Sequence, residues 1–453
     1  MPTVHANPKV GWRKVGDDIV LFNCGNHNMA VLNETGSFIW PYICQGTDLF
    51  ELISVISRNY QINEDTCRDD LIALLEDLNR GGFIYEYLPE SLKSEEAYQE
   101  SGEDVLLSVE MSAIEKLVPF AATFETTYRC NEKCAHCYMG KGIESMTLEE
   151  IKEILAQLAE AGCLFVTFTG GEFFIRSDVL EIIDCADRLH FVIDILTNGT
   201  LIDKRIAEFI AGKKVRRVQV SLYGSNHLTH DRVTRVCGSF NRTIEAIKIL
   251  RQFNIKVEIA YTMMNFNFYE RFTVHKLVKE MGCYLSPNPI VTARNNGDKD
   301  TFNLRLTDEQ IEEFWGDKEF SDMYAGRKPF KDHQLYFGFR DILEAAPCYS
   351  GFNSCAITPD GKVLPCNQLM YEVGDLRKNS FHDIWTKSER LAYLRSLKLR
   401  NLKGCSNCRL LPNCSRCPGL ALIEGGDLLG PSLENCRVTR ICDRILTRKE
   451  GRD

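Results

Sequence analysis

Three cysteines, Cys130, Cys134 and Cys137, have the spacing CxxxCxxC and are the first candidates for chemistry in this chain. Thiolates bind zinc and iron–sulfur clusters. Structural zinc usually takes four protein ligands from paired Cys or His residues, and no fourth cysteine lies nearby. His136 could supply a fourth ligand, but it lies between two of the cysteines, and its ring is expected to point away from a shared metal. The spacing favours an iron–sulfur cluster in which one iron is left open to an outside ligand.

A second group of cysteines lies between residues 348 and 442. It contains two CxxC pairs, which are adequate for zinc knuckles, so zinc is the alternative here. The absence of histidine inside either cysteine motif, and the presence of the first group, favour iron–sulfur clusters. Two cubane clusters need eight protein ligands if every iron has one. The nine candidates are Cys348, Cys355, Cys366, Cys405, Cys408, Cys414, Cys417, Cys436 and Cys442.

The use of these thiols depends on the compartment. The chain has 19 cysteines among 453 residues, no basic and apolar signal segment at its start, and no apolar run long enough for a membrane helix. We therefore expect a cytoplasmic protein, in which clustered cysteines are metal ligands or redox groups rather than disulfides. The net charge of −9 gives no reason to expect a nucleic acid or membrane partner. The seven scattered cysteines are expected to be buried thiols without a role.

An alternation of apolar strands and amphipathic helices must position the first cysteine group. Six strands alternating with helices predict an α/β fold with a parallel sheet, either open or curved into a partial (β/α)6 TIM-like barrel. Chemistry in such sheets belongs at the carboxyl ends of the strands, and the cysteines directly follow the first strand. The predicted strands are Phe120–Thr126, Leu164–Thr169, Phe191–Thr197, Val215–Tyr223, Lys256–Met263 and Ser286–Thr292.

The N-terminal 90 residues have a different pattern. Three short strands within residues 9–32 and three helices over 33–42, 49–60 and 64–79 predict a winged-helix-like domain. A DNA-binding winged helix is the alternative, but the last helix is acidic and suits phosphate poorly. Residues 91–116 are predicted to be a linker, residues 117–330 the barrel core, and residues 331–450 a bridging region and the cysteine-rich domain.

Cys130, Cys134 and Cys137, placed after the first strand, resemble the signature of the radical S-adenosylmethionine (SAM) superfamily. The resemblance implies that SAM binds the open iron, that one electron cleaves its C–S bond, and that the resulting 5′-deoxyadenosyl radical abstracts a substrate hydrogen. The cofactors carry that chemistry, so no catalytic acid–base triad is predicted.

Further motifs at the strand ends resemble SAM-binding segments of the same superfamily. Gly170, Gly171 and Glu172 resemble the GGE motif, which binds the SAM amino group. Asn198 and Ser221 match the third-strand asparagine and the ribose-contacting serine. The segment 230–240 resembles HDxxR…GSF, but Thr234 replaces the arginine and Tyr223 replaces an aspartate common after the serine. The implied SAM-binding residues are Gly170, Gly171, Glu172, Asn198, Ser221, His136 and either Arg232 or Arg235.

The second cysteine group resembles the SPASM extension of radical SAM enzymes, except that its last CxxxC interval is shortened to CxxC. The family pairing implies one cluster on Cys348, Cys355, Cys366 and Cys417. It implies a second on Cys405, Cys408, Cys414 and Cys436, with Cys442 as the alternative to Cys436. With the first cysteine group, the resemblance implies three 4Fe-4S clusters.

The first 90 residues resemble the PQQ-biosynthesis protein D fold, a recognition element that binds leader peptides of ribosomally made precursors. The similarity lies in the strand order, the three helices and the segment Phe22–Gly36. It implies that an extended leader peptide adds as a strand to the sheet edge. A structural domain without this role is the alternative.

Together these resemblances imply a peptide-modifying oxidoreductase that takes electrons from a flavodoxin or ferredoxin. We favour formation of a thioether between a peptide cysteine sulfur and an α, β or γ carbon. Carbon–carbon crosslinking and epimerisation are the alternatives within the class. Others are a PQQ-type, haem-precursor or sulfatase-oxidising SPASM enzyme and, outside enzymes, an iron–sulfur electron carrier, which would not need a SAM pocket.

Overall fold

The N-terminal unit is built on a three-stranded antiparallel sheet. We describe the protein from a computed structural model, which covers residues 3–85, 102–139, 145–325 and 341–449. The sheet contains β2 (Val10–Val15), β3 (Asp18–Asn23) and β4 (Met29–Leu32), in that order. A second small sheet contains β1 (Thr3–Ala6), β5 (Thr47–Asp48) and β6 (Ile84–Tyr85). The sequence predicts a strand at β6, but β1 and β5 are too short for a periodic pattern.

Three helices cover one face of the N-terminal sheet. They are α1 (Glu34–Gln45), α2 (Leu49–Tyr60) and α3 (Glu64–Arg80). Asn33 caps the amino end of α1, since its side chain accepts a hydrogen bond from the Gly36 N–H. Trp40, Leu52 and Leu75 are completely buried in the resulting core.

Part of the predicted linker forms a helix, α4 (Gly102–Glu115), while residues 86–101 lie outside the described residues. Val109 and Ala113 of α4 pack with Phe22 and Met29 of the N-terminal sheet and with Phe165 of the core. The helix therefore fills the space between the N-terminal unit and the core.

A nine-stranded sheet forms the core, and its first six strands are parallel and consecutive in space. Those strands are β7 (Ala121–Glu125), β8 (Phe165–Thr169), β9 (Val192–Thr197), β10 (Val215–Ser221), β11 (Val257–Thr262) and β12 (Tyr284–Asn288). The predicted α/β class is confirmed. The last strand begins and ends earlier than predicted, and Pro289, which has no N–H, directly follows its end.

Helices connect the parallel strands. They are α5 (Leu148–Glu160), α6 (Val179–Arg188), α7 (Lys204–Ala211), α8 (His227–Thr234), α9 (Ser239–Gln252) and α10 (Arg271–Glu280). Their apolar faces bury Leu155, Ile183 and Ile247 against the sheet. After β12 the chain forms α11 (Asp308–Gly316) and α12 (Lys318–Ala325).

The cysteine-rich region continues the core sheet instead of forming a separate one. Its first strand, β13 (Ser354–Ile357), pairs in parallel with β7 and is followed by the antiparallel strands β14 (Lys362–Leu364) and β15 (Gly374–Asp375). Helices α13 (Phe381–Lys387), α14 (Glu389–Ser396), α15 (Pro418–Gly425) and α16 (Leu433–Lys449) complete the region. No helix in the described ranges is long and apolar enough to cross a membrane.

The N-terminal unit docks against the amino ends of the core strands. The Trp12 N–H donates to the carbonyl of His190, which precedes β9 (3.2 Å). Arg13, only 9% exposed, donates to the carbonyls of Cys163 and Leu189, each at 2.7 Å. The unit therefore lies at the end of the sheet opposite the carboxyl ends, where the first cysteines are found.

Candidate functional site

The loop that follows β7 brings Cys130, Cys134 and Cys137 together. Burial raises the pKa of the Cys134 thiol well above its ordinary value, and the charges of Glu132, Cys137 and Cys130 raise it further. The three thiols thus lie within electrostatic range of one another at the carboxyl end of the first parallel strand, where the sequence analysis predicts them.

Gly170 and Gly171 let the loop after β8 pass directly beneath the cysteine loop. The Gly171 N–H donates to the Thr127 carbonyl (2.7 Å), and the next N–H donates to the Arg129 carbonyl (2.9 Å). A Cβ atom at either glycine would clash with these carbonyl oxygens, and Gly170 has a φ of +140°. Glycine is therefore required by the close approach of two backbones.

Glu172 is 1% exposed and connects the ends of β8 and β9. Its carboxylate accepts hydrogen bonds from the Thr197 hydroxyl (2.7 Å), the Asn198 N–H (2.8 Å) and the Phe174 N–H (3.0 Å). Burial raises the pKa of Glu172, and these hydrogen bonds oppose that shift. The structure thus gives Glu172 a scaffolding role, and its contact with SAM stays a prediction.

Asn198 and Ser221 lie at neighbouring strand ends. The Asn198 side-chain amide donates to the Asn131 side chain (2.8 Å) and lies 3.9 Å from the Cys130 sulfur, so it borders the cysteine loop. Ser221 is hydrogen-bonded to the side chain of Tyr223, which is fully buried. Asn198 therefore contacts the thiol site directly, and Ser221 borders it through Tyr223.

The segment 230–240 supports the cysteine loop through its backbone. The carbonyls of Val233 and Thr234 accept from the N–H groups of Ala135 (2.9 Å) and Lys133 (3.0 Å). Asp231 in turn accepts from the backbone of Gly238 and Phe240, which fixes the turn between α8 and α9. The segment therefore holds the loop even though the arginine of the family motif is replaced.

The two candidate arginines in this segment are exposed. Arg232 stacks over Phe266 with its guanidinium carbon 4.1 Å from the ring centroid. Arg235 ends α8 in a left-handed conformation (φ 58°) and lies within electrostatic range of Asp300. The choice between them as the SAM contact stays a prediction.

His136 lies between the cysteines with a buried ring. The ring contacts Tyr223 edge-on, with centroids 4.7 Å apart, and its Nδ1 has no hydrogen-bond partner in the described part of the chain. Burial lowers the pKa of His136 to about 4, so the ring is neutral near pH 7. Tyr223, which replaces the family aspartate, thus supplies an aromatic wall for this histidine.

Sequence reasoning missed a buried carboxylate that connects both ends of the cysteine loop. Glu125, 1% exposed, accepts from the hydroxyls of Tyr128 (3.0 Å) and Tyr138 (2.9 Å). Tyr138 is also hydrogen-bonded to Asn367, which follows Cys366. The only signal in the sequence is the position of the two tyrosines on either side of the cysteines.

The structure sorts the second cysteine group into two sets and two outliers. Besides burial, the pKa of Cys366 is raised by the charges of Cys348 and Cys417, which shows that these three thiols are neighbours. Burial is the largest cause that raises the pKa of Cys436, and the charges of Cys414, Cys405 and Cys408 raise it further. Cys436 therefore lies within electrostatic range of these three thiols.

Two of the nine cysteines lie apart from these sets. Cys355 is buried beside Cys163 in the core. Cys442 is also buried, and no other cysteine contributes to the shift of its pKa. The structure therefore brings together seven of the nine cysteines in the second group.

The spread of the thiols bears on the zinc alternative. A single zinc ion needs ligands that converge to about 2.0–2.3 Å from one point. Within the described residues, no three Cys, His, Asp or Glu side chains converge closely enough to hold one metal ion.

The structure thus has a parallel βα sheet with a three-thiol loop after its first strand, followed by further thiol sets, which is the arrangement that the sequence analysis predicts for an iron–sulfur protein. Models of three known families match the chain in agreement with this arrangement. Coenzyme PQQ synthesis protein D (PqqD) matches residues 18–84, the radical SAM superfamily matches residues 124–279, and the iron–sulfur cluster-binding SPASM domain matches residues 348–418. The chain therefore contains a PqqD domain, a radical SAM domain and a SPASM domain, in that order. These domains imply 4Fe-4S clusters and SAM as cofactors.

Individual relatives cover much of the chain. The AdoMet-dependent heme synthase of Methanosarcina barkeri is 27% identical over 69% of this chain and 94% of its own length. The antilisterial bacteriocin subtilosin biosynthesis protein AlbA of Bacillus subtilis is 30% identical over 59% of this chain and 58% of its own. The crystal structure of Streptococcus suis SuiB bound to precursor peptide SuiA has a TM-score of 0.62 and 16% identity, over 96% of this chain and all of SuiB.

Proposed function

We propose that this protein is a radical SAM enzyme that modifies a ribosomally made precursor peptide by forming a thioether between a cysteine sulfur and a carbon of an acceptor residue. One observation carries the proposal: the same chain contains a PqqD domain and a three-thiol loop, which lie at opposite ends of the core strands. The names of AlbA and SuiB, a bacteriocin biosynthesis protein and a protein bound to a precursor peptide, support a peptide substrate.

We propose three 4Fe-4S clusters, of which the first is held by Cys130, Cys134 and Cys137. Bound together, this cluster and SAM supply a 5′-deoxyadenosyl radical that abstracts hydrogen. The spacing of the thiols along the sequence fits such a group. Glu172 fixes the neighbouring strand ends, and Asn198 borders Cys130. We propose that Gly170, Gly171, Ser221 and either Arg232 or Arg235 orient SAM there.

We propose that the leader peptide adds as a strand beside β4. In the described chain β4 has one strand neighbour, β3, whereas the N–H of Trp12 in β2 is hydrogen-bonded to the core at His190. Val31 of β4 is 42% exposed and would contact an added strand. Main-chain hydrogen bonds would supply affinity and apolar side chains would set the register.

The enzymatic proposal is tested by anaerobic reconstitution with iron and sulfide, followed by addition of SAM, a reductant such as flavodoxin or ferredoxin, and the precursor peptide. We expect 5′-deoxyadenosine and a peptide that is lighter by two hydrogens. Cys130→Ala should abolish both products, while Cys237→Ala, at an exposed cysteine outside the thiol sets, should not. SAM cleavage that survives Cys130→Ala would reject the first-cluster assignment.

The leader proposal has a separate test. Val31→Pro removes an N–H from β4 and blunts its edge, so it should weaken leader binding by roughly tenfold or more, the equivalent of one or two lost hydrogen bonds. Phe272→Ser, at a half-exposed position of α10 in the core, is the matched control. Unchanged affinity in Val31→Pro would reject β4 as the binding edge.

A haem-precursor substrate is the second candidate, favoured by the match to nearly the whole length of the Methanosarcina heme synthase. A precursor peptide would need the PqqD domain to bind its leader, whereas a haem precursor has no leader and would not need this domain. A SAM cleavage rate that rises with a tetrapyrrole, and is insensitive to a precursor peptide, would favour the second candidate.

A further inference from the structure

Arg416 lies in the shortened interval of the second cysteine group. Cys414, at one end of the interval, belongs to the thiol set with Cys436. Cys417, at the other end, belongs to the set with Cys366. Only two residues separate these cysteines, so their Cα atoms are at most about 11 Å apart. The two sets are therefore neighbours, and clusters bound to them would lie close together.

The side chain of Arg416 is buried and held in place, with only 6% of its surface exposed. Nε and Nη2 both donate to the Gly430 carbonyl (3.0 and 2.6 Å), and Nη2 also donates to the Leu428 carbonyl. Nη1 is buried and has no nitrogen or oxygen partner among the described residues. Backbone carbonyls therefore fix the guanidinium and leave Nη1 as the donor available to sulfur.

Thiols of both sets act on this guanidinium. Burial lowers the pKa of Arg416, and the charges of Cys405, Cys417 and Cys414 oppose that shift. Cys405 and Cys414 belong to one set, and Cys417 belongs to the other. Arginine is not deprotonated in proteins, so the side chain keeps its positive charge. A permanent cation therefore lies within electrostatic range of both sets.

The packing around Arg416 agrees with this position of the cation. Arg416 and Cys348, which belongs to the set with Cys417, line the same cavity. Leu429 lies between the two residues whose carbonyls hold the guanidinium, and it packs with Cys405 on one small apolar cluster. Arg416 therefore adjoins the surroundings of a thiol from each set.

A buried cation in this position acts directly on iron–sulfur chemistry. The thiols of the two sets are soft ligands that suit such clusters. A cluster gains one negative charge when it accepts an electron, and its net charge and the hydrogen bonds to its sulfurs set its reduction potential. Two neighbouring clusters repel each other's added charge, and water and salt screen a buried positive charge only weakly. The guanidinium should therefore stabilise the reduced state of both clusters.

We propose that Arg416 supplies a fixed positive charge to both auxiliary clusters and raises the reduction potential of each. The inference rests on the proposed function, because that function supplies the clusters. Reduction transfers one electron to a cluster from a reductant such as flavodoxin or ferredoxin. No bond to the guanidinium forms or breaks, and the guanidinium keeps its protons. Both clusters accept electrons more readily with Arg416 than without it.

The proposal is tested in the Cys130→Ala/Cys134→Ala/Cys137→Ala background, in which all bound iron is auxiliary. The reconstituted protein is titrated with dithionite in the presence of redox mediators, and electron paramagnetic resonance measures how much of each cluster is reduced. At the midpoint potential of the parent protein, Arg416→Gln should lower the ratio of reduced to oxidised cluster about tenfold at both clusters. Arg416→Lys keeps the charge and should change the ratio by less than about threefold.

Arg409→Gln is the matched control. Arg409 directly follows Cys408, but its side chain is 79% exposed and paired with Asp443, so water and salt screen its charge. Its loss should change the ratio by less than about twofold. Unchanged ratios in an Arg416→Gln protein that keeps its iron would overturn the proposal, and so would equal changes in the two variants.

Ser415 offers a second variant in case Arg416→Gln loses iron. Ser415→Asp places a negative charge beside the cation and keeps the hydrogen bonds of Arg416, and Ser415→Asn is the neutral control. Ser415 is exposed, so a smaller drop of about threefold is expected at both clusters. Equal ratios in these two variants would overturn the proposal. A chain that binds no auxiliary iron would instead reject the clusters of the proposed function.

Discussion

The residues that hold the first thiol loop are not cysteines. Glu125 accepts hydrogen bonds from Tyr128 before the loop and from Tyr138 after it, so one buried carboxylate fixes both ends. A buried carboxylate is stable only when its oxygens are well hydrogen-bonded, and here two phenols supply those bonds. These two hydrogen bonds therefore position both ends of the loop without using its cysteines.

Glu125→Gln tests this clamp. The amide has one acceptor oxygen in place of two, so one tyrosine should lose its partner at a cost of about 1–3 kcal/mol. We expect less iron retained by the first loop and a lower yield of 5′-deoxyadenosine. Iron analysis and chromatography measure the two quantities, with Glu149→Gln on the exposed surface of α5 as the control. Equal iron retention in both variants would contradict the clamp.

Cys436 and Cys442 both lie on α16 and are alternative ligands for the second auxiliary cluster. Cys436 lies within the charge environment of Cys405, Cys408 and Cys414, and Cys442 does not. We expect Cys436→Ala to lose about half of the auxiliary iron and Cys442→Ala to lose none. Iron and sulfide analysis in the Cys130→Ala/Cys134→Ala/Cys137→Ala background, in which all bound iron is auxiliary, distinguishes the two. The opposite result would assign the ligand to Cys442.

At the scale of elements, the N-terminal sheet is held to the core by side chains that enter the loops before the core strands. Arg13 lies over the Phe191 ring at 4.7 Å while it donates to two carbonyls, and Lys9 donates to the carbonyl of Lys213 (2.9 Å). These contacts join parts of the chain that are far apart in sequence. The PqqD domain is therefore a fixed part of the enzyme rather than a tethered module.

Acid should weaken this docking. Burial, with a smaller contribution from basic neighbours such as Lys256 and Lys214 respectively, lowers the pKa of both His27 and His190 from 6.5 to about 4, while acidic neighbours oppose the shift. The unfolded chain binds protons near pH 6.5 and the folded chain does not, so stability is lost as the pH falls from about 6.5 to about 4. Thermal unfolding across this range should show the loss.

The double variant His27→Asn/His190→Gln is the control for the acid effect. Asparagine tolerates the left-handed backbone of His27 (φ 66°), and neither new side chain titrates in this range. The variant should have a flatter dependence of the melting temperature on pH. An unchanged slope would show that other groups cause the acid sensitivity.

The elements themselves were largely predictable. Apolar periodicity located all six parallel strands and the helices between them, with ends that differ by a few residues. The turn at Thr358–Gly361 predicts the hairpin of β13 and β14, but not the pairing of β13 with β7, because a four-residue strand has no period that indicates its partner. Apolar periodicity missed β1 and β5, since their strand character comes only from their partners.

At the scale of the whole molecule, the PqqD domain and the first thiol loop lie at opposite ends of the core strands. The strand between them, β9, has six residues, which corresponds to about 20 Å at roughly 3.3 Å per residue. An extended peptide that is bound at one end must cover at least this distance to reach the other. The separation therefore sets a minimum distance between the leader segment and the modified residues.

We expect precursors with fewer than about six residues between the bound leader segment and the first modified cysteine to bind and remain unmodified. Affinity measurements and mass spectrometry on a series of shortened precursors test this. Restoring the length with glycine and serine should restore modification, because only the reach is needed. Full modification of a three-residue spacer would contradict the arrangement.

The sequence by itself determined which residues are candidates for chemistry. The spacing of Cys130, Cys134 and Cys137 is a local feature, so one short loop keeps the three thiols close to one another, and the motifs at the strand ends are recognisable one by one. Only the tertiary structure decided which distant residues join them. Pairing of β13 with β7 turned Cys355 into the core, and burial brought Glu125 between two tyrosines. Because the face of a strand is set by its neighbours and not by its own sequence, spacing alone could not separate Cys355 from Cys348, Cys366 and Cys417.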